Sequence, residues 1–156
     1  MRALALLLIA ALPLTACGGS NARVEQAELF EQGPAHPGPN AELNRLIAHY
    51  ARVYDVPVSL VHRVVKRESN YNPGARNGPY YGLMQILPQT AQTMGHRGSA
   101  EALLDADTNL RYAVKYLRGA WMCADGSESR AVMWYAKGYY YEAKRRGILK
   151  EVGLRS

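Results

Sequence analysis

The chain has 156 residues, 48% hydrophobic and 21% charged, ordinary globular values that exclude global disorder. That length suffices for one domain with a real core and is too short for two. The formal charge of +6 comes from basic residues spread along the chain, clustered only at Lys144, Arg145 and Arg146; this suits an anionic polymer or surface, or simply a solvated face, and no nucleic-acid partner is expected.

Residues 1–17, "MRALALLLIAALPLTAC", have one Arg, an apolar run over 3–14 and then small residues. That is the pattern of a secretory signal, too short to span a bilayer comfortably. Its end, "LTAC", resembles the lipobox of bacterial lipoproteins, which implies that Cys17 becomes the acylated first residue and anchors the chain to a membrane. Gly18 follows, and the retention residue Asp is missing. In a Gram-negative source the expected location is therefore the cell envelope, on the outer membrane facing the periplasm. With Cys17 lipidated, Cys123 has no intrachain partner and is expected to be buried and inert. No Cys/His cluster has metal-ligand spacing, and neither metal nor cofactor is expected.

Residues 18–39 mix Gly, Pro and polar residues and form a flexible tether. From residue 40 to the end a single domain is expected, and its pattern is helical. Asn40 caps a helix carrying Leu43, Leu46, Ile47, Tyr50 and Tyr54 on one face. Pro57 suits the first turn of a second helix, with Leu60, Val61, Val64 and Val65 inward. Another helix follows Pro88. A long one starts near Asp107 and carries Leu110, Ala113, Val114, Leu117 and Trp121. Ser127 caps "ESRAVMWYAKG", and Gly138 interrupts it before a short basic helix that ends at Gly147. Alternating strand patterns are nearly absent, so the fold class is mainly α.

The second helix runs straight into "ESNYNP". Glu68 follows Val64 by four positions and Val61 by seven, which puts it on the apolar face at the last turn. Burial and the helix C-terminus both disfavour a carboxylate there and raise its pKa, as a general acid requires. A Glu curling outward to solvent satisfies the same spacing, so the helix alone does not decide. After Glu68 no acid appears until Glu101. The intervening segment is full of Asn, Gln, Tyr and Gly, neutral hydrogen-bonding and aromatic groups suited to uncharged sugar rings. Taken singly, Tyr80, Tyr81 and Met84 are equally well explained as packing residues.

"ESNYNPGA", "GLMQILPQTA" and "LLDADTNLRYAVKYL", in that order, resemble the soluble lytic transglycosylase type of catalytic domain over roughly residues 40–147. The resemblance implies a lysozyme-like helical fold that cuts peptidoglycan strands, working as a monomer. By it Glu68 is the catalytic acid/base and Ser69 helps to orient it. Gly82, Leu83, Met84 and Gln85 would line the cleft, with Ser69, Met84, Gln85 and Tyr135 counted as substrate-binding and Gln85 the foremost direct contact. Asp105 and Asn109 match a helix-start motif and are assigned a structural role. One block departs from the family: where Ala-Tyr-Asn-Ala-Gly is usual, this chain has "WYAKG". Tyr135 keeps its place, and its phenol is expected to bond Glu68 or the substrate. Ala136 replaces the Asn, and Lys137 replaces a small residue.

A glycoside hydrolase in the usual scheme needs two carboxylates, about 5 Å or about 6.5–9.5 Å apart. Only Glu68 lies in the motif-bearing region. One acid suffices if the C6 hydroxyl of N-acetylmuramic acid attacks its own C1, which cleaves the β-1,4 bond to N-acetylglucosamine and leaves a 1,6-anhydro end. The alternatives are a goose-type lysozyme, which hydrolyses, and a catalytically weak peptidoglycan-binding lipoprotein.

Overall fold

The computed structural model describes residues 40–154; the signal, lipobox and tether assignments lie outside them. Helix α1 (Ala41–Val53) opens on Asn40, whose Oδ1 accepts from the Leu43 amide at 2.7 Å, and buries Leu43, Ile47, Tyr50 and Ala51. Helix α2 (Val58–Ser69) begins one residue later than Pro57 suggested. Pro57 stands at the cap with its carbonyl accepting from the Leu60 and Val61 amides. Leu60, Val61, Val64 and Val65 line its buried face, and it stops where Asn70 turns left-handed at φ 49°.

Between α2 and the next helix lies a small antiparallel hairpin, β1 (Arg76–Asn77) and β2 (Tyr80–Tyr81), pairing Arg76 with Tyr81 and Asn77 with Tyr80. Two-residue strands carry no alternation, so the sequence pattern could not announce them. Helix α3 (Pro88–Thr93) has Pro88 in its first turn, where the missing N–H costs nothing.

The long helix α4 (Ala106–Met122) is the centre of the domain. Asp105 caps it, accepting from the Thr108 amide at 2.8 Å. Its buried face carries Asn109, Leu110, Ala113, Val114 and Leu117 and packs against α1, α3 and the helix that follows. Helix α5 (Glu128–Lys137) starts on Ser127 and ends at Gly138, φ 84°. Tyr139 then folds fully buried over α4 at Gly119, where an added Cβ would meet the phenol oxygen at 2.3 Å. Helix α6 (Tyr140–Arg146) closes on Gly147. It is pinned by Arg146, which donates to both Asp125 and Glu142. Cys123 is free and buried, and burial pushes its thiol pKa up, which keeps it unreactive.

Candidate active site

Glu68 occupies the last turn of α2, four residues beyond the fully buried Val64. Its side chain is 22% exposed, neither sealed in the core nor curled into solvent. Burial raises its carboxyl pKa, and the Arg67 guanidinium, Nε 3.6 Å from Oε1, opposes that rise. Burial prevails because the guanidinium is itself half-exposed and screened by water. No second carboxylate contributes to the shift.

Beyond Glu68 the chain makes two left-handed residues in a row, Asn70 and Tyr71. The Tyr71 phenol lies 3.2 Å from His62 Nδ1 on α2, and the Asn72 side chain accepts from the Gly74 amide. These contacts turn the chain sharply back, so that residues 82–85 run beside the end of α2. Ser69 joins the two segments: its Oγ lies 2.8 Å from the Leu83 carbonyl oxygen and 3.2 Å from that of Val65. Its one proton is committed to the main chain. Ser69 is thus a joint between helix and loop, with its hydroxyl oxygen still able to accept.

Loop 82–85 is built on backbone rather than side chains. Gly82 sits at φ 73°, and a Cβ there would come within 2.2 Å of both the Leu103 carbonyl oxygen and Asn109 Nδ2. Only glycine fits. The side chain of Met84, expected to bind substrate, is fully buried in the core. Its main chain is what matters: the Met84 amide donates to Asn109 Oδ1 at 3.0 Å, and its carbonyl accepts from the Tyr135 hydroxyl at 2.8 Å. Gln85, at φ 48°, spends Nε2 on the Ala75 and Gly82 carbonyls. Its amide oxygen is the part left for a ligand.

Asn109 is the residue whose reach the sequence concealed. Fully buried on α4, it also donates through Nδ2 to the carbonyls of Tyr81 (2.9 Å) and Leu103 (2.7 Å). One amide thereby satisfies three main-chain groups on the hairpin, the loop and the 3₁₀ turn before α4. A signal for this was present: Asn109 precedes Ala113 by four and so falls on the buried face, where a polar group needs partners.

Tyr135 is buried on α5, its ring edge-on to Tyr116 at 5.5 Å. Burial, and after it the charge of Glu68, hold its phenol pKa well above the usual value. It therefore stays protonated and lies within electrostatic reach of Glu68. Its proton nevertheless goes to the Met84 carbonyl, which differs from the expected bond to Glu68 or substrate. Ala136 and Lys137, the two departures in this block, are exposed.

A cavity of about 330 Å³ opens between α3 and the α5–α6 junction. Its walls include Tyr116, Lys137 and Tyr139–Tyr141 but not Glu68.

A mainly helical domain in which half-buried Glu68 ends a helix that Ser69 joins to a neutral loop is of the lysozyme-like class. The family model of the transglycosylase SLT domain matches residues 45–150, and the chain belongs to that family. No solved structure matches the chain.

Proposed function

We propose that this domain is a peptidoglycan lytic transglycosylase in which Glu68 is the single acid and base. The observation that carries the reading is a carboxyl kept half-buried, with raised pKa, and with burial and Arg67 as the influences on it. Such a group keeps its proton to higher pH than a solvated glutamate does, the direction a general acid requires. Glu68 protonates the glycosidic oxygen as the bond from C1 of N-acetylmuramic acid breaks. The resulting carboxylate then removes the proton from that sugar's C6 hydroxyl, whose oxygen closes on C1. The proton returns to Glu68, no water is consumed, and the product ends in a 1,6-anhydro ring. A neutral Tyr135 beside Glu68 supports the step by adding no competing charge. The chain is further proposed to hold this domain at the membrane through a lipid on Cys17, in the cell envelope.

Digestion of purified sacculi in heavy-oxygen water tests the reaction. Every cut should leave an anhydro end free of solvent oxygen, and Glu68→Gln should lower release by at least about a hundredfold. A majority of labelled reducing ends would make the enzyme a hydrolase. Near-parental release by Glu68→Gln would remove that residue from the chemistry.

A further inference from the structure

The cavity beside the α5–α6 junction is lined by chain that continues the site itself. Lys137 comes two residues after Tyr135, and α3, which supplies Gln89 and Thr93, starts just beyond loop 82–85. Its volume of about 330 Å³ lies within the range of small-ligand pockets, roughly 300–1,000 Å³. The walls are chemically mixed. Tyr116 and Tyr139 lie with ring centroids 4.8 Å apart. Tyr141, 83% exposed, offers an uncovered aromatic ring at the rim. Gln89 and Thr93 add neutral polar groups.

One positive charge stands in this otherwise neutral wall. Among the described residues Lys137 makes no ion pair, and its Nζ lies 5.9 Å from the centre of the Trp134 ring. Glu142 is paired with Arg145 and Arg146, and Asp125 with Arg146 and Arg130; Glu151, three residues before Leu154 of the wall, makes no ion pair with Lys137. The ammonium is therefore available to an anionic group in the cavity, and the exposed rings of Tyr140 and Tyr141 suit an uncharged ring.

We propose that this cavity binds the carboxylate-bearing part of a muramyl residue, with Lys137 as the counter-charge. The proposal deepens the glycan-cleaving reading and rests on it. In peptidoglycan a carboxylate beside a sugar ring has two sources. It belongs to the peptide stem where the stem is present, and to the lactyl ether where the stem has been removed. N-acetylglucosamine carries neither. Lys137 is thus a specificity residue, which discriminates between charged and neutral glycans without acting on the scissile bond.

The test measures binding by calorimetry in the Glu68→Gln chain, where no glycan is cut, with and without Lys137→Met. Three ligands are compared: a peptide-bearing muramyl tetrasaccharide, the same glycan stripped by an amidase, and an N-acetylglucosamine tetramer. Loss of a charge-assisted contact should weaken a carboxylate-bearing ligand roughly tenfold, while the neutral tetramer changes by less than about twofold. Lys137→Arg should restore most of the loss. Weakening confined to the peptide-bearing ligand assigns the stem carboxylate; weakening confined to the stripped one assigns the lactyl carboxylate. Equal change on all three ligands, no change on any, or no binding of any glycan would overturn the proposal. Because binding is read without turnover, an inactive parent protein would sink the proposed reaction and leave this result to stand or fall by itself.

Discussion

At Glu68 two influences oppose each other, and the stronger makes the residue costly to the fold. Burial raises the carboxyl pKa and Arg67 lowers it. Because the folded-state pKa lies above the unfolded one, the native state holds this proton more tightly. That advantage is fully present below the unfolded pKa and is lost as pH rises through the folded value. Near neutrality the site is thus a net liability, which a neutral amide of the same shape relieves. Glu68→Gln should melt above the parent at pH 7.5 and together with it at pH 4, as read by calorimetric scans in matched buffers. An equal gap at both pH values would mean that the carboxyl is not held protonated by its surroundings. Glu142 behaves oppositely. Arg145 and Arg146 draw its pKa down to about 2, so its contribution is present near neutrality and fades as pH falls toward that value. Both proteins of the comparison share this acid decline, and it cancels.

At the scale of elements, loop 82–85 is held by a helix rather than by itself. Asn109 ties α4 to Tyr81, Met84 and Leu103, while Asp105 at the helix start only caps it. Asn109→Ala strands the Met84 amide and the Leu103 carbonyl, while the Tyr81 carbonyl keeps the Ile86 amide; at about 1 kcal/mol or more for each stranded group the loss is on the order of 2 kcal/mol. Asp105→Ala should cost about 1 kcal/mol. Denaturant melts should rank the two in that order, and sacculus release should fall only in the first. Equal activity in both variants would mean that the loop does not depend on Asn109. The helices themselves were legible because α1, α2 and α4 each carry a full apolar stripe, and because Asn40, Asp105 and Ser127 mark the starts of α1, α4 and α5. The loop was not. Motif resemblance located residues 82–85 but could not say that Met84 serves through its amide and carbonyl, or that Tyr135 spends its proton on that carbonyl. Those partners are main-chain atoms, which leave no trace in residue type.

For the whole molecule, the placement of the domain depends on residues ahead of Asn40, where Cys17 is proposed to carry lipid. Cys17→Ser should leave muropeptide release intact while moving the protein from the membrane fraction to the soluble fraction or leaving it as uncleaved precursor. Maturation and membrane association like the parent's would rule out the lipid anchor. What the domain does share with its substrate-facing loop is stiffness. The Met84 amide hydrogen ends on a fully buried side chain of the central helix, so deuterium can reach it only when α4 parts from the loop. Its exchange should therefore belong to the slowest class in the protein and track global opening as denaturant is added. Binding loops commonly come from the loosest parts of a fold; slow exchange here would mean that the segment beside the end of α2 opens only with the core, and that the cleft is shaped before a glycan strand arrives.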